Sequence, residues 1–178
     1  MDMTLYPGVR HSANLLEVVD VNNTPFCLMQ RENVLRQGLT CRAVAILLRD
    51  RDGRTLFRHT GSLWDFSSRA LLPAGQAYEE LARQLLWQDW QQEGRSLHKL
   101  GLCKPNPCEP QTNDLQNGTA RSFTAMYEAR IPATLLRQLA SDPSRCLLLD
   151  HDELKGLTSQ MAEVFSPILL QALHEGLL

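Results

Sequence analysis

The chain has 178 residues, the length of a single domain able to build a core without disulfides. Hydrophobic residues make up 43% and charged residues 21%, which speaks against a disordered or fibrous protein. Lys plus Arg number 18 against 20 Asp plus Glu, a net charge of −2, so no electrostatic footprint for nucleic acid or an anionic membrane exists and neither partner is expected.

The longest strongly apolar run, residues 43–48, is far short of the roughly 20 residues a membrane helix needs. The N-terminal MDMTLYPG offers no basic stretch followed by an apolar one, so a cytoplasmic location is expected. Cys27, Cys41, Cys103, Cys108 and Cys146 form an odd set without framework spacing, which fits reduced thiols. Cys103 and Cys108 near His98 could make half of a zinc site, but the second Cys or His pair is missing and ordinary thiols are the better reading. His59, His98, His151 and His174 have no metal-ligand spacing, and no phosphate loop, G-x-S-x-G or dinucleotide fingerprint occurs.

In chain order, residues 15–21 and 26–29 around Asn22-Asn23 predict a strand pair, followed by a short helix over 31–36. Residues 40–50 (TCRAVAILLRD) read as a buried strand, with a turn at Gly53 and a returning strand over 55–58. From Ala77 the period becomes 3.6: Tyr78, Leu81, Ala82, Leu85, Leu86 and Trp90 share one face of a helix that Gly94 should stop. Strands are expected over 97–103 and 120–130, separated by a long loop over 104–118 rich in Pro and Asn. Pro132 opens a helix to about Ala140, 145–150 is a last strand, and Asp152 begins a short helical turn. Ser166 before Pro167 caps a closing helix whose apolar face is Ile168, Leu169, Ala172 and Leu173. Strands mixed with helices point to an α/β (α+β) architecture around a mixed sheet, in one domain over 1–178 with an N-terminal extension of about 14 residues.

Several segments, taken in this order, carry a resemblance to one family: EVVD at 17–20, RQGL at 36–39, Arg42-Ala43-Val44, LWDF at 63–66, PAGQAYEELA at 73–82, FTAMYEARIP at 123–132, LDHDEL at 149–154 and EVFSP at 163–167. Together they resemble the Nudix hydrolase superfamily, which implies an α/β/α sandwich with a mixed sheet between helices. Within it, the long N-terminal segment and R-Q-G-L-x-x-R-A look most like the branch of isopentenyl diphosphate isomerase and its hydrolase-like relatives. The isomerase has a metal-binding histidine before that arginine and a cysteine after the tryptophan; here Cys41 precedes Arg42 and Asp65-Phe66-Ser67-Ser68-Arg69 follows Trp64, so an isomerase is poorly supported.

The family's box, G-x5-E-x7-R-E-U-x-E-E-x-G-U, supplies carboxylates that hold divalent cations against a diphosphate. The resemblance sets Ala70 at the first glycine, Gln76 at the first glutamate, Gln84 at the arginine, Leu85 at the next glutamate, and Gln88 and Asp89 at the last pair. Only Asp89 keeps a carboxylate; registers one residue earlier or three later keep no more. This register puts Ala82, Leu86 and Trp90 in the core and Leu85 on the partly exposed ligand side. Glu79, Glu80, Asp89 and Glu93 read first as a solvated helix face, with Glu80, Asp89 and Glu93 as weak metal candidates. Trp87 and Trp90 read as packing residues. Arg42, Arg58, Arg69 and Arg121 are candidate grips for an anionic ligand.

Two functions follow. One is a Nudix-like domain that binds a nucleotide or diphosphate-type ligand without efficient hydrolysis and expects no cofactor. The other is an active hydrolase of a nucleoside diphosphate derivative, using magnesium held by Asp89, Glu80, Glu93 or the loop carboxylates Glu109 and Asp114. Oligomeric state is open.

Overall fold

The computed structural model describes residues 14–105 and 121–178. A hairpin of β1 (Leu15–Val19) and β2 (Pro25–Gln30) leads into α1 (Arg31–Arg36), then β3 (Cys41–Arg49) and β4 (Thr55–Thr60). The turn between β3 and β4 is built by Asp50, whose carboxylate accepts from the Asp52 and Arg54 amides at 2.9 Å each, while Gly53 takes φ 86°. Two short strands follow, β5 (Leu63–Asp65) and β6 (Ser68–Leu71), before α2 (Tyr78–Trp90). The remainder runs β7 (Leu97–Cys103), β8 (Ser122–Arg130), α3 (Ala133–Leu139), β9 (Cys146–Leu149), α4 (His151–Gln160), a 3₁₀ turn (Ala162–Val164) and α5 (Pro167–His174).

The central strand is β3. One edge pairs in parallel with β8 along its full length, from Cys41↔Ser122 to Arg49↔Arg130. The other edge is shared: β6 pairs antiparallel with Ala43 to Ile46, and β4 pairs antiparallel with Leu48 and Arg49. β7 closes the sheet beyond β8, and β5 and β9 both pair with β4. Every residue of β3 from Ala43 to Leu48 is buried because the strand feeds two cores by its period of two. Val44, Ile46 and Leu48 join α2 (Leu81, Ala82, Leu85, Leu86, Trp90) and Leu136 of α3 on one face. Ala45 and Leu47 join Leu154 of α4 and Leu169 and Ala172 of α5 on the other. The result is the mixed sheet of the α/β (α+β) architecture read from the residues, arranged as the α/β/α sandwich that the resemblance implies.

Four boundaries depart from expectation. α2 stops at Trp90, not near Gly94, because Gln91 itself takes the left-handed conformation (φ 56°) and its amide returns to Trp87. The expected turn at Asp152 is a helix of 10 residues, nucleated by a reciprocal capping box between Asp150 and Glu153. β5 and β6 are unforeseen strands, too short and too polar to carry an alternation signal. Pro132 caps α3 from outside, at the N-cap, and does not open it. The 104–118 loop lies almost wholly outside the described residues, as do Cys108, Glu109 and Asp114.

Candidate functional site

Sharing one edge of β3 between β4 and β6 forces those two strands to diverge, and the fork needs a plug. Ser67 supplies it: the Leu48 amide donates to Ser67 Oγ at 2.9 Å, and Ser67 Oγ donates to the Leu56 carbonyl. The side chain is fully buried and both backbone groups that the fork would orphan are satisfied. Immediately beyond it a cavity of about 150 Å3 opens between the sheet and the end of α2. Its polar lining is Arg31, Arg58, Arg69, Asp65, Asp89, Thr60 and the serines 67, 68 and 166.

Asp65 is the wall's organiser. It is 4% exposed, and its carboxylate accepts from the Phe66 amide at 2.9 Å, from Ser166 Oγ at 2.8 Å and from Arg69 Nε at 2.8 Å. Ser166 also caps α5, accepting from the Leu169 amide at 3.4 Å, so one hydroxyl ties the closing helix to the site.

Asp89 faces the same cavity from the last turn of α2. A carboxylate at a helix C-terminus meets the negative end of the macrodipole, and it is matched here by two donors: Ser68 Oγ donates to Oδ2, and the Arg58 guanidinium lies 3.3 Å from the same oxygen. Trp90 Nε1 in turn donates to Ser68 Oγ at 2.8 Å, which fixes the serine so that its proton goes to Asp89.

Of the remaining box positions only Ala70 lines the cavity. Gln76 donates to Gln84 Oε1 at 3.1 Å on the outside of the helix, and Gln84 and Gln88 are exposed. Leu85 corrects the expectation of a partly exposed ligand-side residue: it is 7% exposed and belongs to the same apolar cluster as Leu86 and Trp90. Helical period, and not the box alignment, predicts its environment. Trp90 packs as expected, whereas Trp87 is 48% exposed, a correction to its reading as a packing residue.

Nor do the metal candidates converge. Glu80 sits nine residues before Asp89 on α2, about 13 Å along the axis at 1.5 Å per residue, and Glu93 follows the C-cap. Among the described residues no three of His, Cys, Asp and Glu come together as metal ligands. Magnesium needs several hard oxygens around it; three neutral amides, a buried leucine and one carboxylate already bonded to a serine and an arginine do not fit it.

Of the four candidate arginines, Arg58 and Arg69 line the cavity. Arg42 does not: it is held by Glu17 at 2.6 Å and by the side chain and carbonyl of Asn23 at 2.9 and 2.7 Å, locking the β1–β2 hairpin to β3. Arg121 precedes β8, its carbonyl accepting from the Cys41 amide, and does not line the cavity. Arg31, Asp65, Ser67, Ser68 and Ser166 were not among the sequence candidates. Two consecutive serines and a charge inside an otherwise apolar stretch (WDFSSRALL) are the signal that marks the middle three. Arg31 also acts on Cys41, whose thiol burial pushes up to about 12 while the arginine's charge pulls it the other way.

No protein-family model matches the chain, and no curated protein matches it. Solved structures do. DR0079 from Deinococcus radiodurans superposes with a TM-score of 0.64 at 21% identity, over 90% of this chain and 97% of its own. A mutT/nudix family protein from Listeria innocua follows with a TM-score of 0.51 at 12% identity, over 76% of this chain and 94% of its own. The solution structure of DR0079, a hypothetical Nudix protein, aligns over 71% of this chain and 72% of its own at a TM-score of 0.42 and 21% identity. The chain therefore shares its fold with solved Nudix proteins.

Proposed function

We propose that this Nudix-fold chain binds a nucleotide or diphosphate-type ligand at the cleft between β6 and the end of α2, without efficient hydrolysis. The observation that supports it most is the bonding of Asp89. The one carboxylate left at the box positions is occupied by Ser68 and Arg58, and Leu85, where a second would stand, is inside the apolar core. Metal-assisted attack on phosphorus needs a cation to activate water and neutralise the phosphate oxygens; a site with one engaged carboxylate leaves binding as the function. The cleft keeps three arginines against two aspartates, a balance suited to an anion. Within the superfamily we place the chain beside the hydrolase-like relatives of isopentenyl diphosphate isomerase, and outside the isomerase itself.

The test is calorimetric titration of the purified chain with a panel of nucleoside diphosphate derivatives, with phosphorus NMR on the same samples after prolonged incubation in magnesium. Saturable binding with intact ligand is expected. Magnesium-dependent cleavage would replace this reading with that of an active hydrolase using unusual ligands.

A further inference from the structure

Three guanidinium groups line one small cavity, and they are unequally occupied. Arg69 binds Asp65 through Nε, which leaves its two terminal nitrogens for other partners, and it is 14% exposed at the side chain. Arg58 touches Asp89 through a single nitrogen at 3.3 Å and is 38% exposed. Arg31 lines the same cavity and makes no ion pair among the described residues. A guanidinium carries five N–H donors in a planar fork that matches phosphate oxygens two at a time. Bringing three of them round one cavity against two carboxylates leaves both charge and donors in excess. The volume sets the scale: 150 Å3 is about half of the roughly 300 Å3 at which pockets for drug-sized ligands begin, so the cavity takes a phosphate or diphosphate group and leaves the remainder of any larger ligand outside.

Resting on the function proposed above, we infer that Arg58 stands in for the missing divalent cation, so that the cavity seats a diphosphate group on Arg58, Arg69 and Arg31 with no metal at all. A cation here would be held by the box carboxylate and would supply positive charge for the ligand. Arg58 has the same two neighbours available: it already faces Asp89 on one side and opens to the cavity on the other. Asp89 then has a role opposite to that of a metal ligand. It competes with the anion for Arg58, whereas in a metal site it would recruit the cation that holds the anion.

That opposition gives a test by sign. Inorganic pyrophosphate is titrated calorimetrically into the full chain in EDTA and again in magnesium, using wild type, Arg58→Gln, Asp89→Asn and, as a surface control, Arg83→Gln, whose ion pair with Glu79 lies on the outside of α2. The expected result is binding in EDTA that magnesium does not strengthen, weakened about tenfold or more by Arg58→Gln, tightened severalfold by Asp89→Asn and unaltered by Arg83→Gln. Melting temperatures of the variants within a few degrees of wild type verify that each is folded. Metal-free binding that Arg58→Gln leaves untouched would overturn the inference while leaving the binding function standing. Binding that appears only with magnesium and disappears in Asp89→Asn would overturn the inference, the proposed function then standing or falling on whether the nucleotide panel stays intact in magnesium. No binding of pyrophosphate in either buffer would overturn the inference alone, the proposed function being tested by the nucleotide panel.

Discussion

Replacing Leu85 by Glu asks whether position 85 of this fold accepts a carboxylate. Leu85 is 7% exposed and packs in the cluster of Leu81, Leu86, Trp90 and the β3 side chains Val44 and Ile46. Losing the buried leucine forfeits about 2 kcal/mol of apolar burial. The carboxyl group put in its place has no donor in that cluster; it takes up a proton to escape the charge, and as a neutral polar group still costs about 2 kcal/mol more. The sum of about 4 kcal/mol lowers the melting temperature by about 8 to 16 °C for a domain of this size. Differential scanning calorimetry of Leu85→Glu beside Gln84→Glu, an exposed neighbour that should move stability by less than about 0.5 kcal/mol, separates burial from charge on the helix. A drop below about 3 °C for Leu85→Glu would refute the reasoning, because position 85 would then open to solvent or to the cleft and accept a carboxylate there.

Asp65→Ala strands Arg69, Ser166 and the Phe66 amide inside the protein and should cost about 3 to 5 kcal/mol in urea unfolding; a cost under about 1 kcal/mol would show that water replaces the carboxylate. Ser67→Ala leaves the Leu48 amide and the Leu56 carbonyl without their bridge, an expected loss of about 1 to 3 kcal/mol, with faster amide exchange at Leu48 as its local signature. Cys41 has a thiol raised from 9.0 to about 12 by burial. The unfolded chain releases this proton first, so stability is complete below pH 9 and declines as pH rises from about 9 toward 12; Cys41→Ala should make that decline shallower, and an unchanged slope would contradict the burial argument. The same burial should leave Cys41 among the slowest thiols to alkylate and the half-exposed Cys27 among the fastest, read by mass spectrometry over a time course.

Where apolar periodicity is strong, sequence and structure agree closely. The α1 bounds, the β3 and β4 hairpin and the Ser166-Pro167 start of α5 follow from run length, a glycine turn and a cap with proline behind it. The site was harder to see. β5 and β6 have three and four residues, and they exist because β4 lends an edge to the first and β3 to the second, long-range pairings that no local pattern records. Arg31 and Arg58 lie 27 positions apart in sequence and meet only round the cavity. Asp89 is a candidate in the sequence, whereas its bond to Ser68 has no local signal. Leu85 carried two conflicting signals, a core period and a ligand position by resemblance, and packing decided for the core.

The absence of a metal site at Asp89 is the claim on which the account depends most, and manganese tests it directly. Titrating the full chain with Mn²⁺ and following the free-ion electron paramagnetic resonance signal should give no stoichiometric loss of signal at submillimolar concentration, for wild type and Asp89→Asn alike. A one-to-one loss in wild type that Asp89→Asn abolishes would show that Asp89 leaves Arg58 to hold a cation, and would contradict the account.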